Sequence, residues 1–176
     1  KKDGDQKAEF FGKLVQLQQV NDDEQWKTLG QNMMWVPDEE GGYVVGEITE
    51  RRGDDVDVTI LDNGSKKTIS ISDIHPMNPP KLDGIEDMAR LSHLNEPSVL
   101  HNLKFRYDKN QIYTYSGLFL VAVNPYRDLG LYTSEVVKKH IGKRREDIEP
   151  HIFTISDEAL RNMLTNHQNQ SLLITG

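Results

Sequence analysis

The residues best suited to binding a ligand follow an apolar run at 118–123. Asn124 carries an amide that both donates and accepts hydrogen bonds, as the edge of a purine base requires, and Pro125 fixes the chain direction after it. Tyr132 adds an aromatic ring that can pack on a base. Because Asn-Pro also commonly ends a strand in a turn, the residue types alone leave both interpretations open.

A second apolar run, 171–175, closes on Gly176. In a phosphate-binding loop of the form G-x-x-x-x-G-K-S/T, a buried strand leads into the first glycine and backbone N–H groups surround the phosphates. Gly176 fits that first position. A short strand followed by glycine is also ordinary turn punctuation, so this feature depends on support from the residues upstream.

Other clusters that could do chemistry are few. The basic run 138–145 is either a solvated helix end, where cations meet the negative end of the helix dipole, or a contact for a nucleotide, a phosphate or an acidic partner. It lacks the interleaved aromatic residues of proteins that bind single-stranded nucleic acid. The six histidines show no pair at metal-ligand spacing. We therefore predict neither catalytic residues nor a metal site.

The elements that must position these residues form the second part of the chain. The run 118–123 is apolar at every position, which is typical of a strand covered on both faces. Ligands of α/β sheets collect at the carboxyl ends of the strands, where Asn124 and Gly176 would lie. The predicted elements are helices at 85–91 and 96–107, strands at 112–115 and 118–123, helices at 133–140 and 156–166, and a strand at 171–175. On the first long helix Val99, Leu100, Leu103 and Tyr107 can share a buried face, and Ser156 is the expected N-cap of the last one.

The first part of the chain has the period of β-strands. Four alternating runs at 33–37, 43–49, 56–61 and 67–71 are separated by turn residues, and a closing segment follows at 73–76. Asn63-Gly64 between the last two runs predicts a tight hairpin with positive φ at both positions. These signals predict a small antiparallel SH3-like barrel over residues 31–77. Residues 1–30 predict a helical extension, with Phe10, Leu14 and Leu17 at helical spacing.

Composition excludes several classes of function. The 176-residue chain carries a net charge of -7, so a broad attraction to nucleic acid or anionic membranes is not expected. It contains no cysteine, which removes disulfides, thiol nucleophiles and cysteine-bound zinc. No run approaches the roughly 18 apolar residues of a membrane span. The reducing cytosol is the simplest compartment.

Several blocks of the second part resemble the start of a myosin motor domain, in the order and spacing of that family. The blocks are NPPKLDGIEDM at 78–88, LNEPSVLHNL at 94–103, IYTYSGLF at 112–119, VNPY at 123–126, PHIF at 150–153 and NQSLLITG at 169–176. A barrel ahead of the motor core is most similar to conventional class II myosin. The resemblance assigns residues 78–176 to the N-terminal part of the motor domain, ending at the start of its P-loop.

The resemblance gives these residues roles. The fold it implies is a small all-β SH3-like barrel followed by the start of an α/β P-loop NTPase motor core, with an incomplete sheet and helices around it. Asn124, Pro125, Arg127 and Tyr132 would correspond to the purine-binding loop, and Gly176 to the opening glycine of the P-loop. The chain departs from the family at Asp128, at Gly130, where many members carry proline, and at Leu160, where an aromatic residue is common.

The resemblance also implies what the intact protein binds. It would use ATP with Mg²⁺, bind F-actin and light chains as well as the rest of the motor domain, dimerise through a coiled coil, and lie in the cytoplasm and cytoskeleton. The P-loop lysine and the switch loops would follow residue 176, so this chain alone is expected neither to bind ATP tightly nor to hydrolyse it. A noncatalytic adaptor, whose barrel binds Pro-rich peptides at Trp35 and Tyr43, is the alternative. Another P-loop NTPase, such as a kinase or GTPase, is a third interpretation.

Overall fold

The computed structural model describes residues 30–40 and 42–176. The helix predicted around Phe10, Leu14 and Leu17 lies outside the described residues. The described chain divides into two compact units, one containing residues 30–83 and 91–102 and the other containing 84–90 and 103–176. The predicted domain boundary at 77/78 is a reading of the sequence and stays a prediction.

The first unit is built on one antiparallel sheet of five strands in the order β4-β3-β2-β1-β5. Each neighbouring pair is antiparallel, and the β2–β3 ladder shifts register between Ile48 and Glu50. The four predicted strands and the closing segment are therefore confirmed. The strands are β1 (Met33–Asp38), β2 (Gly42–Arg52), β3 (Asp55–Ile60), β4 (Lys66–Ser70) and β5 (His75–Pro76).

Aliphatic side chains from these strands form the core of the first unit. Val36, Val56 and Val58 are at most 1 % exposed, and Met34, Val44 and Ile69 pack against the cluster from its edge. Alternation brings these side chains to one face because successive residues of a strand point to opposite sides. The fully buried members are Val36, Ile48, Val56, Val58, Ile60 and Ile74.

The hairpin between β3 and β4 differs from the prediction at one residue. Gly64 has a φ of 71°, but Asn63 does not have a positive φ. The connection is longer than a two-residue turn, and the Ser65 N–H donates to the Asn63 Oδ1 at 2.9 Å while the Gly64 N–H donates to the Ile60 carbonyl. The side chain of Asn63 thus makes the turn itself, and only the glycine must enter the left-handed region.

Trp35 does not serve as a groove residue. It is 7 % exposed, and its ring lies 5.1 Å from that of His101. Tyr43 is half-buried, with its ring edge against His75. The adaptor interpretation therefore loses one of the two aromatic residues on which a Pro-rich peptide would dock.

Asn78 fixes the connector that follows β5. Its Oδ1 accepts a hydrogen bond from the His93 N–H at 2.7 Å, and its Nδ2 donates to the His93 carbonyl at 2.8 Å and to the Ser98 Oγ at 2.9 Å. Asn95 adds a bond from its Nδ2 to the Pro76 carbonyl. These bonds explain why residues 91–102 belong with the first unit even though a Pro-rich connector separates them from the strands.

Helix α1 (Glu96–Asp108) forms close to its predicted bounds but buries a different face. Leu100, predicted to be buried, is 50 % exposed, whereas Ser98, Asn102 and Arg106 are at most 3 % exposed. Residues spaced by four lie on one face of a helix. Polar partners select this face, because Ser98 bonds to Asn78, and Arg106 bonds to groups of the second unit, to which it belongs.

The second unit contains a two-stranded hairpin and two helices of its own. The elements are β6 (Tyr113–Ser116), β7 (Phe119–Ala122), α2 (Ser134–His140) and α3 (Ile152–Asn166), with 3₁₀ turns at Met88–Arg90 and Arg145–Asp147. The helix predicted at 85–91 is wrong, since only the 3₁₀ turn forms there. Asp87 pairs with Tyr115 in an isolated bridge, and its Oδ1 accepts from the Ala89 and Gly117 N–H groups, which holds the segment along β6.

The prediction that the run 118–123 is covered on both faces is also wrong for the described residues. Leu118 is 88 % exposed and Phe119 is 74 % exposed, while Tyr113 and Tyr115 on β6 are buried. Among the residues the structure describes, no strand pairs with the outer edge of β7. A two-stranded hairpin buries its side chains only where other elements pack on its faces, and no such packing buries Phe119 of β7 here.

Helix α3 starts earlier than predicted, and the final strand does not form. The N-cap is His151, and Ser156 lies inside the helix, where its Oγ donates to the Ile152 carbonyl. The predicted strand at 171–175 is wrong, because residues 167–176 have no regular structure and Leu173 and Ile174 are nearly 90 % exposed. A strand needs a neighbour to accept its backbone bonds, and no described strand pairs with this segment.

Candidate functional site

Asn124 begins a turn directly after β7. Its Oδ1 accepts a hydrogen bond from the Tyr126 N–H at 2.8 Å, and Tyr126 has a φ of 52°. The side-chain oxygen of Asn124 therefore stabilises a turn, which is one of the two interpretations that its residue type left open. The amide nitrogen donates no hydrogen bond to any described residue, and the side chain is exposed, so its two N–H groups are available to an acceptor on a ligand.

Pro125 and Arg127 attach this loop to the end of α1. The Tyr107 hydroxyl donates to the Pro125 carbonyl at 3.4 Å, and the Arg127 Nη2 donates to the Asn110 Oδ1 at 2.6 Å. Both contacts involve the first residues of the loop. In this structure Arg127 thus anchors the loop through its guanidinium.

Asp128 and Gly130, the two residues of this loop that depart from the family pattern, form one turn. The Asp128 Oδ1 accepts a hydrogen bond from the Gly130 N–H at 2.8 Å, and Gly130 has a φ of 66°. Proline cannot adopt this conformation, because its ring fixes φ near −65°. Asp128 and Gly130 therefore make a turn that a family member with proline at that position cannot make.

Tyr132 closes the loop with its hydroxyl fixed and its ring accessible. The Tyr132 and Tyr113 hydroxyl oxygens are 2.8 Å apart, and the Tyr132 ring meets the Phe153 ring edge to face at 6.1 Å. Tyr132 remains 61 % exposed. Burial, and then the bond to Tyr132, raise the pKa of Tyr113, which therefore stays a neutral phenol at physiological pH. The arrangement presents an oriented aromatic surface on which a base can stack.

Two histidines that the sequence gave no reason to associate meet behind Tyr132. The rings of His140 and His151 are 4.7 Å apart, and each residue is 4 % exposed. The His151 Nδ1 accepts from the Phe153 N–H, and its Nε2 lies 3.1 Å from the Leu131 carbonyl. Burial, and then the neighbouring His140, lower the pKa of His151. The one sequence signal for this role was the position of His151 immediately before an apolar helix, where an N-cap is needed.

Arg106 holds the strand beneath Tyr132. It is 2 % exposed and donates to the Thr114 Oγ1, the Gly84 carbonyl and the Tyr113 carbonyl, each at 2.9 Å. Burial lowers the pKa of Arg106, with Glu86 and Glu149 acting in the opposite direction. The guanidinium remains charged, since its ordinary pKa lies far above neutral pH. It fixes β6, and with it the hydroxyl of Tyr113.

The basic run divides into structural contacts and solvated side chains. Arg144 pairs with Asp147 through two bonds, and Arg145 donates to the Gly117 carbonyl at 2.7 Å while lying over the Tyr115 ring. Lys138 and Lys139 are exposed in the last turn of α2. The structure thus gives both arginines a role within the second unit.

Gly176 stands apart from the other predicted site residues. It is exposed, and no hydrogen bond among the described residues joins it to the loop at 124–132. Asn124, Pro125, Arg127 and Tyr132 lie on one continuous loop of the second unit. The assignment of these five residues to nucleotide binding remains a prediction.

Within residues 30–40 and 42–176, no group of three or more His, Asp or Glu side chains could hold a metal ion. None of the helices in that part of the chain is both long and apolar enough to cross a membrane.

Comparison with known proteins matches two consecutive parts of the chain to two domain families. Residues 23–78 match the myosin N-terminal SH3-like domain, and residues 85–176 match the myosin head (motor domain). The chain is 49 % identical over 144 residues to a non-muscle myosin heavy chain of Drosophila melanogaster and 51 % identical over 142 residues to Myosin-3 of Caenorhabditis briggsae. These matches cover 82 % and 81 % of the chain but only 7 % of each relative.

Proposed function

Since the chain belongs to the myosin family and carries its N-terminal SH3-like domain and the start of its motor domain, we propose that the loop 124–132 forms one wall of the pocket for the purine of ATP. Asn124 would offer its N–H groups to an acceptor on the base edge, and Tyr132 would pack on the base. Pro125 and Arg127 would hold the start of the loop. The supporting observation is the half-exposed Tyr132 ring, oriented by the hydroxyl bond to buried Tyr113.

The phosphate side of the site would begin at Gly176, as the first glycine of a P-loop. ATP with Mg²⁺ would supply the phosphoryl group that is hydrolysed, and its stabilisation in the transition state needs a lysine, a metal ligand and switch residues. None of these residues has a counterpart in the loop at 124–132. We therefore propose that this loop contributes to binding the base and not to hydrolysis of the phosphate.

The complete protein would be an actin-based motor of the cytoplasmic cytoskeleton. In such a motor the nucleotide orders or releases segments near its phosphates, and this couples hydrolysis to movement. F-actin, light chains and the remainder of the motor domain would be its partners, and two heavy chains would associate through a coiled coil. These proposals rest on the family, because the chain corresponds to a small part of the relatives it matches.

A comparison of tyrosines within one loop tests the purine site. In the complete protein, Tyr132→Ala should weaken the binding of MgADP about five- to thirtyfold, since a stacked aromatic ring contributes about 1–2 kcal/mol. Asn124→Ala should weaken it by a smaller factor, through loss of one or two hydrogen bonds. Equilibrium titration with a fluorescent nucleotide, displaced by MgADP, measures both effects.

Tyr126→Ala is the matched control, because Tyr126 is 89 % exposed and its side chain has no assigned role in the site. Its nucleotide affinity should equal that of the unchanged protein. If Tyr132→Ala and Asn124→Ala also retain full affinity while folding normally, the assignment of this loop to the purine is wrong.

A further inference from the structure

His151 makes two hydrogen bonds that fix its protonation state. The Phe153 N–H can only donate, so the His151 Nδ1 must accept that bond, which measures 3.1 Å. The Leu131 carbonyl can only accept, so the His151 Nε2 must carry the proton of the second 3.1 Å bond. The geometry therefore requires the neutral imidazole with its proton on Nε2.

The two bonds join separate parts of the second unit. One caps the N-terminus of α3, and the other holds the residue that immediately precedes Tyr132. The His151 ring also lies 4.9 Å from the Tyr113 ring and 5.9 Å from the Tyr132 ring. The same imidazole thus contacts both members of the tyrosine pair and the backbone of the loop at Leu131.

We propose that His151 is a positioning residue for the Tyr132 end of the loop. The neutral imidazole joins this end to the N-terminus of α3, and protonation breaks the bond to α3 while the bond to Leu131 remains. The consequence for nucleotide binding rests on the proposed function of the loop, whereas the structural consequence does not. His151 does not need to touch the nucleotide in this role.

Protonation would break the cap because Nδ1 would then carry a proton facing the Phe153 N–H. Two donors would oppose each other, and a positive charge would lie at the positive end of the α3 dipole. The neighbouring His140 adds to this cost, whereas the Leu131 carbonyl, which accepts the Nε2–H bond in both protonation states, opposes it. The charged and titratable groups that line the small cavity beside His151 are Arg106 and Tyr113 from α1 and β6, Lys139 and His140 from α2, and Glu149 from the segment before α3.

The direction of the pH effect follows from the lowered pKa of His151, whose ordinary value is 6.5. A histidine with a folded-state pKa below its unfolded value stabilises the folded arrangement fully above the unfolded pKa. That contribution is lost as the pH falls through the folded pKa. The N-terminus of α3 should therefore be capped at pH 7.5 and become progressively looser below about pH 6.5.

His140 is the second histidine of this cluster, and its effect can be separated from that of His151. Its Nδ1 donates to the Val136 carbonyl at 2.8 Å, so the bonds that hold the loop do not involve it. His140→Phe keeps a ring against His151 and removes the second titratable group. In this variant the N-terminus of α3 should still loosen with acid, at a somewhat higher pH, because the lowering effect of His140 on the His151 pKa is gone.

The test measures MgADP affinity and amide hydrogen exchange of the complete protein between pH 7.5 and 5.5. His151→Phe removes both hydrogen bonds and should weaken MgADP binding about three- to tenfold at pH 7.5, with kcat little changed. His151→Gln places an amide N–H within reach of the Leu131 carbonyl and should restore much of that affinity. Neither variant should show the acid sensitivity of MgADP affinity and hydrogen exchange that the unchanged protein shows. His151→Asn keeps an acceptor at the N-cap and is the control in case α3 fails to form in the other variants.

Exchange in peptides covering the first turns of α3, residues 151–158, normalised to the barrel strands at each pH, reports the cap that His151 makes without any nucleotide. The inference holds if acid accelerates this exchange in the unchanged protein and in His140→Phe but not in the His151 variants. It fails if the exchange is indifferent to pH, if the acid effect survives in His151→Phe, or if it disappears in His140→Phe. If exchange responds in this way while Tyr132→Ala leaves MgADP affinity unchanged, the proposed role of His151 is supported and the assignment of the loop to the purine is wrong.

Discussion

The two units of the chain are stabilised by different kinds of contact. The first encloses aliphatic side chains from neighbouring strands, and its core residues are less than 10 % exposed. The second is joined by polar groups that are themselves buried, chiefly Arg106 and His151, and it leaves Leu118 and Phe119 in solvent. A closed apolar core tolerates little loss of volume, whereas a unit held by buried polar groups is most sensitive to loss of a single donor or acceptor.

The same difference explains why the sequence predicted the two units unequally well. Within the first, each strand pairs mainly with a neighbour in sequence, so alternation and turn residues carry enough information. In the second, the residues that must meet are distant in sequence and obey no simple period. The contrast can be tested by making similar changes in both units.

The largest expected effect is the loss of an aliphatic side chain from the barrel core. Ile60→Ala should destabilise the first unit by about 3 kcal/mol, because Ile60 is 2 % exposed and the change leaves a cavity. Leu118→Ala in the 176-residue chain should cost less than about 0.5 kcal/mol, as expected for an exposed site. Urea unfolding followed by circular dichroism compares the two variants. An equal loss of unfolding free energy in the two variants would contradict the distinction between the units.

The next effect is the loss of a buried donor from the second unit. Arg106→Met keeps the aliphatic length but leaves the Thr114 hydroxyl and the Gly84 and Tyr113 carbonyls without this partner. We expect a destabilisation of about 2–3 kcal/mol. Arg127→Met is the control, because its single bond to Asn110 is exposed. Hydrogen exchange should quicken in β6 and not in β2 or β3, and faster exchange in the barrel strands would contradict the contrast.

The sequence predicts the bounds of the helices and strands better than it predicts which of their faces are buried. The bounds of α1 were predicted closely, but its buried face is the one that carries Ser98, Asn102 and Arg106. Apolar periodicity cannot identify such a face, since distant polar partners select it. The start of α3 was missed for a related reason, because His151 is an uncommon N-cap and Ser156 is a common one.

The candidate site was predicted in part. The sequence indicates Asn124, Pro125, Arg127 and Tyr132 as candidate site residues, and in the structure they lie on one loop that follows β7. The hydroxyl bond between Tyr113 and Tyr132 and the contact between His140 and His151 were not predicted. No periodicity joins these pairs, and they meet only because the hairpin, α2 and α3 pack together.

Hydrogen exchange of the complete protein with and without MgADP tests the nucleotide-binding role of the loop and reports both units in one measurement. We expect slower exchange in peptides covering residues 124–132 when MgADP binds, with β1 to β4 of the barrel unchanged. Bound nucleotide that leaves residues 124–132 unprotected, or that protects the barrel strands instead, would contradict that role.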